Sequence, residues 1–251
     1  MKFAMKSIVA ATAFVAAGVA SAASVTVPAG TVYNGLKFSG AGALSFSADL
    51  MGALDTGKVS VVGYGAATAT VLKDTDGFYS QVSASAPITA LTIDTGTNAV
   101  LGAATSGGAT QTAPVLKSVS SGGSLTVTDL NVDLANKKIY ATLIGGNGVG
   151  TLTNFYLWDI GSITGATSVA GPGTYTTTLS GLSITSDGFN KFTQALGLLS
   201  LGKAALTGVT DFGVVTSTIV ATAAIPEPSS YALMGLGLAG MGLVARRRRA
   251  Q

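Results

Sequence analysis

Alternation of apolar and polar residues is the dominant pattern in the middle of the chain. Leu44, Phe46, Ala48 and Leu50, for example, are separated by Ser45, Ser47 and Asp49. Because successive side chains of a strand point to opposite faces of a sheet, a period of two predicts half-buried β-strands. We predict such strands at residues 44–50, 78–84, 88–94, 125–134, 139–144, 151–160 and 173–184.

Two details of this pattern predict local irregularities. The alternation through residues 125–134 slips by one position near Thr128 and Asp129, as it does where a β-bulge inserts an extra residue. Residues 135–138, Ala-Asn-Lys-Lys, then separate two alternating runs and predict a hairpin turn. The Gly-rich segment 102–114 is predicted to be a mobile loop.

A single segment has helical spacing instead. Phe189, Phe192, Leu196 and Leu199 recur at intervals of three and four, and Ser186 or Asp187 precedes them as a candidate N-cap. We therefore expect an all-β fold, an antiparallel β-sandwich or barrel-like body with one short helix. This β-rich exported domain would span residues 23–225, with a weak boundary near residues 110–122 as an alternative division.

The first 22 residues have the features of a secretory signal peptide. Lys2 and Lys6 are followed by an apolar run at residues 8–19, and Ala20 and Ala22 form a small-x-small cleavage site. The pattern predicts export by a Sec-type translocon and cleavage after Ala22. An uncleaved N-terminal anchor is the alternative.

The last 26 residues, 226–251, carry three ordered elements. The triplet Pro226, Glu227, Pro228 is expected to be extended, since proline fixes φ and disfavours helix before it. Residues 231–245 are an apolar stretch that predicts a transmembrane helix, although ~1.5 Å per residue makes it shorter than a ~30 Å bilayer core. The stretch ends at a cluster of four arginines, which predicts a cytoplasmic end: Arg246, Arg247, Arg248 and Arg249.

This arrangement resembles the PEP-CTERM sorting signal of Gram-negative bacteria. The resemblance implies that an exosortase recognises the triplet at the inner membrane, which would hold the chain transiently, and removes the tail. It also implies a destination at the cell surface or in the extracellular matrix, in species that make exopolysaccharide. A plain C-terminal membrane anchor is the alternative.

Composition and charge narrow the chemistry of the body. The 251 residues include no Cys and no His, which excludes disulfides, zinc fingers and histidine-dependent catalysis. The formal net charge of +3 comes from the two ends, because residues 23–225 hold eight Lys, no Arg and ten Asp. With no basic patch in the body, we expect no nucleic-acid binding, and no motif requires a cofactor.

One sequence motif offers a catalytic alternative. Asp94, Thr95 and Gly96 follow an apolar run and resemble the active-site loop of retropepsin-like aspartic proteases. Such an enzyme needs two carboxylates that share a proton, so a homodimer would have to supply the second. A β-turn after a strand explains the same residues without catalysis. We expect the protein not to be an enzyme.

Two further motifs concern ligands. Asp74 and Asp76 could share a Ca²⁺ ion, but the sequence lacks the rest of a calcium loop, and we predict a turn and no metal site. Trp158 and Tyr156 would lie on one face of a strand and could stack on sugars, whereas a lone Trp is more often part of a core. The main hypothesis is a structural, adhesive or exopolysaccharide-associated protein; a glycan-binding module is an alternative.

Overall fold

The computed structural model describes residues 23–224, 233–239 and 241. Within residues 23–224 the chain forms one antiparallel sheet, and the strands have the following bounds: β1 (Ser24–Pro28), β2 (Val32–Tyr33), β3 (Leu36–Phe46), β4 (Ser60–Tyr64), β5 (Thr68–Lys73), β6 (Tyr79–Asp94), β7 (Val100–Thr105), β8 (Gly108–Leu116), β9 (Ser120–Asp133), β10 (Lys138–Gly145), β11 (Gly150–Gly165), β12 (Gly173–Ile184) and β13 (Gly213–Ala223). Three helices accompany them: α1 (Ala48–Gly57), α2 (Ser186–Ala195) and α3 (Ser200–Thr207).

The sheet closes on itself and is barrel-like. Successive antiparallel pairings run β6–β3–β13–β12–β11–β10–β9–β7, and β7 pairs in turn with β6. Strands β1 and β5 lie beside the long strand β6, and β8 and β4 extend the sheet from β9. The all-β, antiparallel prediction is therefore confirmed.

Helices cover one end of this barrel-like body. Helix α1 packs on α3 and on strands β6 and β8, and α2 packs on β9 and β11. Ser47 caps α1 by accepting a hydrogen bond from the Leu50 amide at 3.0 Å, and Thr185 caps α2 in the same way. The predicted helix is present as α2, but its stripe ends early, because Leu199 lies beyond it as the residue before α3.

Two buried clusters form the core. The larger lies under the helices and includes Trp158, Phe192 and Phe212. The smaller lies toward β1 and includes Phe38, Leu91 and Ile219. The described members of both clusters lie within residues 23–224.

Several local predictions can be compared with these elements. The bulge near Thr128 and Asp129 is present, since the β9–β10 register shifts there and Asp129 has φ 51°. A four-residue turn joins β9 and β10 as expected. The strand predicted at residues 44–50 is wrong beyond Phe46, where α1 begins. The predicted loop at 102–114 is also wrong, because it consists of β7 and β8, and residues 110–122 form the β8–β9 hairpin.

Candidate functional site

A row of small residues crosses four adjacent strands in the middle of the closed sheet. Thr177 of β12 is in register with Ser217 of β13, which pairs with Gly42 of β3, and Gly42 pairs with Ala86 of β6. We call these four residues the small-residue belt. Larger side chains occupy the neighbouring inward positions, Leu179 and Val215 on one side and Ile219 on the other. Small side chains at these four positions leave the middle of the closed sheet incompletely filled.

The small-residue belt encloses a cavity of about 70 Å³. The cavity separates the two core clusters, since its lining takes Phe212 and Leu179 from one and Ile88 and Ile219 from the other. Its wall is predominantly apolar, and the residues that line it include no Asp, Glu, Lys or Arg. A site of this chemistry favours a neutral, mainly apolar ligand.

Two side chains with N–H donors line this cavity. Gln111 of β8 is 4% exposed. The indole Nε1–H of Trp158 is buried and has no acceptor among the described residues. Leaving a buried polar group unpaired costs about 1–3 kcal/mol, so the Trp158 indole is unusual in a wall of aliphatic and aromatic side chains.

Gln111 stands where two cavities meet. A smaller cavity of about 20 Å³ lies between α1, α2, α3 and the sheet, and Gln111, Leu50 and Phe192 line both spaces. In the sheet Gln111 pairs with Val61 on one side and Leu125 on the other, both buried apolar residues. The amide group therefore has no polar neighbour across either strand.

An aromatic pair occupies the outside of the sheet. Tyr140 of β10 and Tyr156 of β11 are cross-strand partners, with ring centroids 5.5 Å apart and planes tilted by 39°. The Tyr156 hydroxyl donates a hydrogen bond to Asp159, which raises the pKa of Tyr156 to about 12. The Lys138 ammonium lies 4.7 Å from the centre of the Tyr156 ring. We call these four residues the tyrosine patch.

Rows of hydroxyl side chains continue along the outer face from β11. One in-register row crosses six strands: Thr164, Thr178, Thr216, Ala43, Ser85 and Thr68. A parallel row crosses four strands: Val214, Ser45, Ser83 and Thr70. These residues are exposed or half-buried, and the rows contain no charged side chain. We refer to them as the hydroxyl rows.

Asp94, the candidate catalytic residue, ends β6 and organises the turn into β7. Its Oδ1 accepts hydrogen bonds from the backbone amides of Thr97 at 2.9 Å and Gly96 at 2.8 Å. These bonds lower the pKa of Asp94 below its ordinary value, and they outweigh the opposing effect of burial. Thr95 donates its hydroxyl and its amide to the carbonyl of Ala23, the residue before β1. Asp94 therefore shapes the turn, and Thr95 joins the turn to the start of β1.

The other sequence-predicted ligand residues also have structural positions. Asp74 accepts hydrogen bonds from the backbone amides of Asp76 and Phe78. This is the usual role of an aspartate at the first position of a turn. Among the described residues there is no group of three or more carboxylates placed to hold a metal ion. The prediction that Trp158 and Tyr156 share a face is wrong, because β11 bulges at Leu157, which turns both Leu157 (0% exposed) and Trp158 (2% exposed) inward.

The targeting segments are described only in part. Ala20, Ala22, the triplet at residues 226–228 and the arginines at 246–249 all lie outside the described residues. Residues 233–239 of the apolar stretch are helical, with Leu233 and Leu236 exposed. In the part of the chain that is described, no helix has both the length and the hydropathy needed to cross a membrane.

An antiparallel β body followed by a short apolar C-terminal segment defines the general class, a β-rich protein with a C-terminal targeting segment. Residues 224–249 match the family described as the PEP-CTERM protein-sorting motif. The chain therefore carries a PEP-CTERM sorting motif at these residues, and the motif supports export and sorting by an exosortase to the cell surface or the extracellular space in bacteria. No curated protein and no solved structure matches the chain.

Sequence reasoning did not find Gln111, Tyr140 or the small-residue belt. Gln111 lies in a segment of small residues that lacks a clear hydrophobic period, and its inward direction follows only from the β8 register. Tyr140 occurs in a run predicted as a strand, but its partner Tyr156 is 16 positions away. No local signal marks the small-residue belt, because its four residues are brought into line only by the register of four strands.

Proposed function

We propose that the exported protein is a non-enzymatic component of the cell surface or matrix that associates with exopolysaccharide through the tyrosine patch. The observation that carries this proposal is the outward placement of Tyr140 and Tyr156 beside Asp159 and Lys138. Its host would be a Gram-negative bacterium, in which a Sec-type translocon and then the exosortase act on the chain at the inner membrane.

The chemistry of the patch suits a sugar chain. Aromatic faces present apolar area of the kind that packs against the C–H faces of a pyranose, while tyrosine also offers a polar hydroxyl. Asp159 supplies acceptors, and the Lys138 ammonium supplies donors for hydroxyls around the sugar ring. A role for Trp158 in sugar stacking is excluded by its burial, so Tyr140 and Tyr156 take its place in the glycan-binding hypothesis.

The hydroxyl rows extend the same outer face away from the patch. Along β11, Tyr156 and Asp159 are followed by the outward residue Thr164, which begins the longer row. Neutral hydroxyls exchange hydrogen bonds with water and with sugar hydroxyls at little desolvation cost compared with charges. A polymer held at the tyrosine patch would therefore meet a compatible surface beyond it.

The patch is tested by measuring binding of the full chain to the host's own purified exopolysaccharide. Tyr156→Leu removes the aromatic face and is expected to weaken binding at least fivefold, whereas Tyr156→Phe keeps the face and retains most of it. Tyr64→Leu is the matched control, since Tyr64 is an exposed tyrosine on β4. Equal binding by Tyr156→Leu and Tyr64→Leu would refute the role of the patch.

Processing of both ends is part of the proposal. The strand β1 begins at Ser24, immediately after the predicted cleavage site, and Ala23 is already held by Thr95. We expect mass spectrometry of the exported protein to find a mature chain that begins near Ala23 and ends near the triplet at 226–228. Recovery of the protein with its four arginines intact would refute cleavage of the tail.

A further inference from the structure

We propose that the interior of the closed sheet binds a small neutral molecule that is mainly apolar and carries one hydrogen-bond acceptor, such as a ketone, aldehyde or ester. The site is the cavity of about 70 Å³ inside the small-residue belt. The inference is independent of exopolysaccharide binding, because the tyrosine patch lies on the opposite, outer face of the sheet.

The inward side chains of the small-residue belt are too small to fill the space between them. A single water needs only about 10–15 Å³ of such space, and protein interiors are usually packed without voids of several waters. Here the void arises from four in-register positions, each on a different strand, that all carry small residues. Larger side chains at these positions would fill it: at Gly42, a Cβ atom would meet only the Thr105 Cγ2, at 3.4 Å.

Two side chains with N–H donors, Gln111 and Trp158, line the cavity. The Trp158 indole N–H is buried and has no acceptor among the described residues. Since buried polar groups in proteins are almost always paired, this unpaired donor at a void indicates a ligand atom that accepts from it, and the Gln111 amide on the same lining offers a further donor. A carbonyl oxygen is such an acceptor, and the Gln111 amide and the Trp158 indole both donate N–H groups.

The lining of the cavity contains no lysine or arginine to neutralise a carboxylate or phosphate, and no aspartate or glutamate to pair with an amine. Burying an isolated charge without a partner is strongly unfavourable. The lining therefore excludes ionised ligands and leaves neutral molecules with an acceptor for the N–H donors of Trp158 and Gln111.

Two ligands of nearly equal shape test the proposal with the full-length chain. Cyclohexanone presents a carbonyl oxygen where methylenecyclohexane presents a CH₂ group. Because Trp158 is the only tryptophan, its fluorescence and its single indole N–H resonance in NMR report the cavity directly. We expect both compounds to titrate the tryptophan signal to saturation, and only the ketone to move the indole proton downfield.

Variants then assign the groups responsible. Gln111→Met keeps the size of the side chain and removes the amide, so the ratio of ketone to alkene affinity should fall roughly three- to tenfold, the effect of one net hydrogen bond. When this affinity ratio is compared between the wild type and the variant, the difference in hydration free energy between the two compounds cancels. Ala86→Leu, which fills the small-residue belt, should weaken both ligands at least tenfold.

The wild-type measurement keeps the proposal open to refutation even if a variant does not fold. Absence of saturable binding by either compound to the wild-type chain would overturn it. So would an unchanged affinity ratio in a folded Gln111→Met protein, or undiminished binding by a folded Ala86→Leu protein. Far-ultraviolet circular dichroism establishes whether each variant is folded.

Discussion

The middle of the barrel-like body and its helix-covered end are built from the same strands, but they are packed in opposite ways. At the covered end Phe212 contacts two other aromatic rings, with centroids 6.3 Å away in Trp158 and 6.1 Å away in Phe192. In the middle, the small residues Gly42 and Ala86 leave open the void whose lining the three aromatic residues share. Sheet pairing alone therefore does not determine how well the interior is filled. The size of the inward side chains determines it.

This comparison predicts that stability is concentrated in the packed end. Phe212→Ala would remove a side chain that is fully buried among aromatic rings and should lower the free energy of unfolding by about 3–5 kcal/mol. Urea-induced unfolding followed by tryptophan fluorescence measures the loss. Phe78→Ala is the control, because Phe78 is 56% exposed, and a change within about 0.5 kcal/mol is expected there. Equal losses in the two variants would contradict the comparison.

Two glycines of β3 sharpen the comparison within one strand. A Cβ atom at Gly40 would lie 2.1 Å from the carbonyl oxygen of Thr218, so β3 and β13 would have to separate. Gly40→Ala should therefore destabilise the protein by about 1–3 kcal/mol. Gly42→Ala is the matched control, since that methyl group would enter the void, and we expect it to be neutral or stabilising by up to about 1 kcal/mol.

The same unfolding experiment gives the readout for this pair. If Gly42→Ala destabilises as much as Gly40→Ala, the middle of the body is packed more tightly than the cavity implies. The difference between the two variants is more informative than either value, because both substitutions have the same effect on the entropy of the unfolded chain.

Most of the strands could be predicted from period-two alternation. Departures from the alternation could be located only where the strand register was also known. The β-bulge at Asp129 was predictable, because an extra residue shifts the apolar positions visibly. The bulge at Leu157 was not, since Leu157 and Trp158 are both apolar and either could face inward. Helix α1 was missed because Ala48 and Leu50 continue the alternation of β3, although Ser47 is a suitable N-cap.

The candidate sites were less predictable than the fold for a physical reason. The sorting tail can be predicted from sequence because its triplet, apolar stretch and arginines are contiguous. The match at residues 224–249 confirms this prediction. The cavity depends instead on which residues of four strands share one register. Small residues such as Gly42 and Ser217 carry no hydrophobic signal, so sequence alone gave no indication of the void that they create.

The smallest predicted effect concerns the end of the body near β1, where a polar turn accompanies the apolar core. Backbone hydrogen bonds from Thr97 and Gly96 lower the pKa of Asp94 in the folded protein. A carboxylate with a lowered folded pKa contributes stability that is fully present above its unfolded pKa, around 3.9, and is lost as the pH falls through the folded value. The wild type should therefore lose stability on acidification below about pH 4–5.

Asp94→Asn tests this contribution without removing the turn, because the amide oxygen of Asn can still accept backbone N–H bonds. We expect the stability gap between wild type and Asp94→Asn to be largest near pH 6 and to shrink as the pH approaches 3. Asp76→Asn, in the exposed β5–β6 turn, is the control for the exchange of a carboxylate for an amide. If the difference in free energy of unfolding does not vary with pH, the charge of Asp94 contributes nothing to stability. The end of the body near β1 is then stabilised by the packing of residues such as Leu91 and Phe38.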